Sequence, residues 1–566
     1  MTEKTRVSNT WQNSRLQISD LTRRVKKMGV RRPNCHARYV PGCPERLLIA
    51  PQDLRTADPI VAEDIYAGLY VFAGQVENCE GRSPFLIMPP SREWVRELHA
   101  FRWLRHLKVS NASLTRAKAQ SLVDDWITHS ARLDAEAWSL PVVAERVFAW
   151  LNNSPLILQE ADHDFYRRFL RALYLQVRFL RASSGAMPYT PDRLTVLMAE
   201  LAGWLCFSGK ERYVRSTSKR LVAELDSQIL PDGGHVSRNP MVIVSTLLDL
   251  LPLRQTFLSR ELELPEGLNR SIERMMPMLR FFRHPNGSFA HFNGAGATPA
   301  DQIATIMAYD DTRGTPVSDA SFSGYQRIEA GNSVLLMDTG SFPPIEQSIQ
   351  AHAGTLSFEL SSGVAPMVIN CGAPSCRQAG WRELARSTAA HSTLTVQDKS
   401  TCPISPRPFD LDGRPLLCRD INVQSERTLE QGLETIKASH DAYGPDYGIR
   451  HRRQIWLSVN GRKIDGQDDL EAVGKGINKG RDGYAIRFHL HPTVQMERDS
   501  VENIVYLGLL NGEIWQFSAK DVDITIEDSV FLSDIHGIRP SKQLALYGFA
   551  SHVSTIRWHF AHVTNA

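Results

Sequence analysis

The chain changes its hydrophobic rhythm once. From about residue 55 to 310, apolar residues recur at three- and four-residue spacings. In Asp192 to Cys206, Leu194, Leu197, Met198, Leu201, Trp204 and Leu205 form one helical face. Met241 to Leu253 is apolar on most sides and predicts a more deeply buried helix. Trp94 to Leu107 and Val142 to Trp150 behave like the first. Ser183-Ser184-Gly185 and Pro231-Asp232-Gly233-Gly234 break the series. Amphipathic helices in series must bury each other's faces, which bundles, solenoids and α/α toroids all achieve.

After about residue 320 the period falls to two. Tyr325 to Asp338 alternates around a Gly331-Asn332 turn, and short strands follow through Thr555 to His559. Asn460-Gly461 and Asn511-Gly512 carry the two-residue hairpin signal. Many short strands joined by turns predict an antiparallel β-sandwich. The expected architecture is α+β and multidomain. It comprises a basic extension over 1–54, a helical domain over 55–318 and a β-sandwich over 319–566, with the boundary in 310–325.

Composition narrows the class. The 566 residues are 42% hydrophobic and 22% charged, with a formal net charge of +3. These are ordinary values for a globular chain, and the charge is too small to imply a nucleic-acid partner. The eight cysteines form no CxxC pair, against zinc-ribbon and thioredoxin chemistry. Cys371, Cys376, Cys402 and Cys418 cluster enough for a disulfide, but the scattered set fits a reduced compartment. The N-terminus has no apolar leader core, so the expected location is cytoplasmic. Tyr66 to Ala73, read as the longest apolar run, is too short to span a bilayer. Arg23, Arg24, Lys26, Lys27, Arg31 and Arg32 make the first segment basic. It is either a solvated helix or tail, or a peripheral contact with anionic lipid.

Four constellations can carry chemistry. The turn Gln228 to Pro240 presents His235, Arg238 and Asn239. They read as a base, a carboxylate clamp and a polar partner, or as helix caps and a self-bonded turn. The glycine-rich stretch Phe281 to Gly296 places His284, His291, Asn286 and Asn293 beside aromatics, a composition that suits sugar binding and equally a long connector. His352, Asn370 and His391 open or close three predicted strands and form a candidate metal set in which the amide is the poorer ligand. They also read as satisfied polar groups between sheets. His440, Tyr443, Tyr447, His451, Arg452 and Arg453, followed by His489 and His491, form a base-and-clamp candidate or a set of edge-strand residues and cross-strand pairs. No Walker A, Rossmann, GxSxG or HExxH motif is present, against nucleotide-driven chemistry, common serine hydrolysis and zinc proteolysis.

At these motifs the chain resembles the heparinase II/III family of polysaccharide lyases, and most closely its uncharacterised bacterial branch. The resemblance rests on Gln228 to His235, on Phe281 to Ser288, on Ala351-His352-Ala353-Gly354 with Leu356 to Leu360, on Arg386 to Leu394, and on Ser439 to Tyr443 with His451-Arg452-Arg453. It covers the chain from about residue 140 onward. It implies an incomplete α/α toroid joined to an antiparallel β-sandwich, with an acidic glycan lying between them. It also implies β-elimination at a uronic acid, which needs carboxylate neutralisation, a base at C5 and a proton donor to the leaving oxygen. On that reading the catalytic candidates are His235, Arg238, Asn239, Tyr443 and His291. The substrate-binding candidates are Gln350, Asn293, His440 and Arg452. The resemblance further implies a structural zinc at His352, Asn370 and His391, and a location in the periplasm or envelope. The chain departs from the family's His-Ala-His-Ala-Asp pattern. Gln350 stands where a catalytic histidine is carried, Gly354 stands at the aspartate, and Asn370 replaces an aspartate ligand. These replacements point to a second possibility, a glycan-binding or envelope-associated protein whose lyase site has decayed.

Overall fold

The computed structural model describes residues 33, 35, 40–109, 113–133, 135–310, 316–374, 379–409, 415–417, 420–430, 433–499 and 501–563, without the side chains of 379, 404–409, 415, 416 and 430. The basic segment before residue 33, Cys376, Cys418 and residues 311–315 of the expected boundary lie outside the described residues.

Helices run from Pro59–Tyr66 to Ala300–Met307, and strands of the C-terminal half begin at Asp319–Ala320. Local chemistry sets the helix starts. Asp58, Ser91 and Asp162 each accept a backbone N–H of the first turn, and Asn239 does the same ahead of Pro240. The stretch expected as one helix from Trp94 to Leu107 is broken. Helix Arg92–Ala100 stops at Phe101, whose φ of 58° is left-handed, and a 3-10 segment Arg102–Val109 follows. Part of the run Tyr66 to Ala73 is a strand, Leu69–Phe72, paired antiparallel with Gln75–Asn78. Among the described residues, one helix is long and apolar enough to cross a membrane, Pro240–Ser259, and 67% of its most apolar window is buried inside the fold.

Among the described residues, the C-terminal half holds two large antiparallel sheets and a two-stranded one, Ile404–Phe409 with Pro415–Leu417. The first runs Val423–Glu430, Leu433–His440, Ile449–Leu457, Lys463–Ala472, Thr555–His562, Ile514–Lys520, Ile504–Gly508, Gln495–Arg498. The second runs Ile524–Phe531, Arg539–Phe549, Gly483–Leu490, Ala365–Ile369, Phe358–Ser362, Ser333–Asp338, Tyr325–Ala330, Asp319–Ala320, with Leu394–Val396 also paired to Gly483–Leu490. One apolar core joins them, and across it Phe358 of the second sheet stacks on Trp558 of the first at 5.5 Å.

Strand Ser333–Asp338 shows how the halves meet. All six residues are buried. Leu335 and Met337 point into the core between the sheets, while Val334 and Leu336 join the core of the helical half. Burial on both faces explains why Val-Leu-Leu-Met reads as a continuous apolar run.

Cys371 and Cys402 are buried, and they do not pair with each other in the disulfide that their clustering allowed. All three predicted Gly/Asn turns are hairpins. Two of them touch. A Cβ on Gly461 would lie 1.9 Å from the Ala330 carbonyl oxygen, and one on Gly331 would lie 2.2 Å from that of Asn460. The two sheets are therefore locked tip to tip by glycines. Gly512, at φ +83°, has nothing within 4 Å of its Cβ position and serves as a control. In urea unfolding, Gly512→Ala should lose about 1–2 kcal/mol, the left-handed penalty alone. Gly461→Ala should lose clearly more, and equal losses would show that the tips do not bear on each other.

Candidate functional site

The turn after helix Glu211–Gln228 builds one side of the junction. His235 is 1% exposed. Its Nδ1 accepts the Ser237 N–H at 3.0 Å, which leaves Nε2–H to donate to Gln228 Oε1 at 2.8 Å. Burial pushes its pKa down to about 3. Both ring nitrogens are thus spent inside the turn, and the geometry offers no open base there.

Arg238 is equally committed. It sits at φ +62°, and its guanidinium donates to the carbonyls of Ser323, Ser341 and Gly324 at 2.8, 2.8 and 2.9 Å and to Asp338 Oδ1 at 2.6 Å. The group lies 4.7 Å over the Tyr325 ring. Burial opposes its charge, but the Asp338 carboxylate more than restores it, raising the guanidinium pKa above its ordinary value. Gly340 makes the room, since a Cβ there would lie 2.5 Å from Nη2. Arg238 therefore clasps the helical half to the second sheet. It is not a free clamp for a ligand carboxylate, because the anion it clamps is Asp338.

Next to the clasp, amides fill the junction. Asn239 Nδ2 donates to Gln350 Oε1 at 2.8 Å, while its Oδ1 accepts the Met241 N–H. Gly294 passes so close that a Cβ would lie 2.6 Å from the Gln350 carbonyl. Asn293, at φ +47°, donates to Tyr325 Oη and Asp338 Oδ2 and accepts the His352 N–H. Tyr325 closes the loop by donating to the Arg238 carbonyl at 2.6 Å.

His352 and His391 meet directly. Residues 351–357 form a loop rather than a strand, which starts at Phe358, and His391 follows a 3-10 turn, Thr388–Ala390. His391 Nδ1–H donates to the Ser387 carbonyl, so its Nε2 accepts from His352 Nδ1 at 3.1 Å. No hydrogen bond from His352 Nε2 is formed among the described residues. Burial, then the neighbouring His391 and Arg386, hold His352 well below its usual pKa. Burial brings His391 to about 4, against the pull of the Ser387 carbonyl. Gly354 is required here, because a Cβ would lie 2.6 Å from His391 Cδ2.

The third expected metal ligand is occupied. Asn370 Oδ1 accepts the Ser392 N–H and its Nδ2 donates to Glu359. Among the described residues no group of three or more His, Cys, Asp or Glu is placed to hold an ion. As placed, the two imidazoles bond each other and the amide is engaged elsewhere. Glu359 organises the neighbouring side. It accepts from the N–H groups of His291 and Asn370 and from the His284 imidazole. Burial opposes its charge, yet these imidazoles hold its pKa below the carboxylate range.

The structure thus brings Arg238, Asn239, Asn293, Gln350, His352 and His391 together, with Asn370 and His291 one step away through Glu359. It does not bring in the others. Tyr443 is 1% exposed in the core between the sheets, its hydroxyl donating to the Leu394 and Lys399 carbonyls. His440 lies beside it against His451. Arg452 pairs with Glu471 along an open groove on the first sheet. Sequence reasoning missed Tyr325 and Asp338, which carry no local signal. It also passed over Glu359, whose signal was legible as one acid inside Leu-Ser-Phe-Glu-Leu.

Residues 312–559 match the family described as heparinase II/III-like, C-terminal. Over this half the chain is similar to the heparinase II/III-like family. Fold comparison extends the likeness to the whole chain. A heparan sulfate lyase HepC mutant from Pedobacter heparinus superposes with a TM-score of 0.64 over 97% of this chain and 88% of its own, at 15% identity. A heparinase III superposes with a TM-score of 0.67 over 87% and 80%, at 16% identity. Among curated proteins, FtsZ-localized protein C of Caulobacter vibrioides is 29% identical over 516 residues, covering 89% of this chain and 88% of the relative. The heparinase-like half contributes Asp338, Gln350, His352 and His391, and the helical half contributes Arg238, Asn239 and Asn293.

Two outcomes follow. Arg238→Ala should lose about 3–5 kcal/mol in urea unfolding, because it strands a buried carboxylate. A loss under 1 kcal/mol would mean the clasp is idle. Elemental analysis of protein purified without chelator should find zinc well below one ion per chain, and an equimolar content resistant to dialysis would contradict the reading of the histidine pair.

Proposed function

We propose that this protein is a heparinase-fold protein that binds polysaccharide where its halves meet and does not cleave it. In this reading the helical half is an incomplete α/α toroid and the two sheets are a sandwich, with the glycan lying along the groove between them. The supporting observation is the Asn239–Gln350 amide pair bridging the halves at 2.8 Å. β-Elimination at a uronic acid needs a group that takes a proton and one that returns it. A carboxamide does neither at neutral pH. Gln350 stands where the family resemblance places a catalytic imidazole, and His235, Arg238 and Tyr443 are tied to partners of their own. Amides do suit the reversible hydrogen bonding of sugar hydroxyls.

One observation favours elimination as a second reading. His352 is kept uncharged by burial and has an unpartnered Nε2 beside the amide pair. It is the one imidazole of the junction that can accept a proton.

The relative named as FtsZ-localized supports a role at the division site, with the glycan belonging to the envelope or its precursors. The basic N-terminal segment would supply the contact with anionic lipid.

The decisive experiment incubates the full chain with a panel of uronate polymers. It follows the ultraviolet band of unsaturated uronides and, on the same polymers, retardation in affinity gels. Retardation without a rise in absorbance is expected, weakened by the double substitution Asn239→Ala with Gln350→Ala. A rise abolished by His352→Ala would establish the second reading instead. Neither retardation nor a rise would remove both.

A further inference from the structure

A small cavity lies where the segment 284–298 meets the second sheet, one step beyond Glu359. Its volume is about 170 Å³. That is the room of about five or six waters, below the ~300 Å³ at which most ligand sites begin. It suits one sugar ring and not a length of chain.

Its walls are chemically uneven. His291 is 5% exposed, and its Nδ1 is buried without a hydrogen-bond partner among the described residues. Its Nδ1 lies 3.3 Å from Glu359 Oε1, an oxygen that also accepts His291's own backbone N–H. His491 accepts from Thr493 through Nδ1, which leaves its Nε2 unpartnered. The Phe531 ring stands between the two imidazoles, 5.2 Å from His291 and 5.4 Å from His491. Val368, Ile369 and Ile535 complete an apolar side. Two unsatisfied imidazoles around an aromatic wall are the donor and acceptor set that ring hydroxyls use.

Charge decides which sugar. The lining includes two acids, Glu359 and Asp534, and no lysine or arginine. Asp534 is balanced by Arg539 at 3.2 Å. Glu359 is met by the backbone N–H groups of His291 and Asn370, the Asn370 amide and the His284 imidazole, and His491 has its pKa lowered to about 4 chiefly by burial. A ligand carboxylate entering here would face the Glu359 carboxylate with no lysine or arginine in the lining to offset it.

We propose that this cavity is a subsite for a single neutral sugar residue, read by His291, His491 and Phe531, and that it excludes uronic acids. It rests on the glycan-binding reading but uses residues outside the amide junction. The test is ligand-observed NMR and calorimetry of the full chain with glucose, galactose, N-acetylglucosamine and glucuronic acid. At least one neutral sugar should bind, with glucuronic acid at least tenfold weaker. His491→Ala should weaken the neutral sugar at least tenfold without moving the melting temperature, whereas Asn239→Ala with Gln350→Ala should leave it unchanged. Should His491→Ala unfold the chain, Ile535→Asp, at an exposed rim position, should weaken glucuronic acid further and spare the neutral sugar. Binding of none of the neutral sugars, equal binding of glucuronic acid, or indifference to these substitutions would overturn the proposal. Neutral-sugar binding without polymer retardation would sink the groove reading alone.

Discussion

Everything at the junction depends on one buried cation. Arg238 lies between the halves with a carboxylate, three carbonyls and an aromatic face around it, and each of these belongs to the second sheet or its connections. A guanidinium taken out of water is tolerable only with such a complete shell. The shell then fixes its neighbours. Asp338 holds Asn293, Tyr325 holds the Arg238 backbone, and Asn239 is left facing Gln350.

The chemistry follows from how these groups are used. A lyase needs polar side chains that are positioned but still free at one atom. Here most atoms at the equivalent place are used for cohesion. The position that could abstract a proton carries an amide, and the arginine that could neutralise a uronate already neutralises Asp338. What stays open is the His352 nitrogen and, past Glu359, the pair His291 and His491. On the proposed reading, the fold shared with these structural neighbours holds a sugar in this chain rather than breaking one.

How much of this was legible in the sequence varied with range. Helix faces and Asn-Gly hairpins are local, so the switch from three-and-four to two marked the helical and sheet halves. The turn 228–240 was recognisable as a turn, and Asn239 as a cap. The role of Arg238 was not, because its partners lie 85 to 103 positions away. An arginine in a turn looks the same whether its anion is a ligand or a distant aspartate. His451 and Arg453 posed the converse problem. They fall on the inward positions of Ile449–Leu457 and bond Asp468, while polar residues in a strand suggest an outward face. His352 was placed at the head of a strand because the loop 351–357 has strand-like composition, and Gly354 acquires its meaning only beside the His391 ring.

The central claim is that Arg238 and Asp338 act as one unit joining the halves, and a double-mutant cycle tests it most directly. Unfolding free energies would be compared for the parent, Arg238→Ala, Asp338→Ala and the double variant. The account predicts strong non-additivity, with the double variant losing little more than either single one, because each removal strands the other charge. Losses that simply add would show that the two groups stabilise the fold independently, and the junction would then have no common clasp.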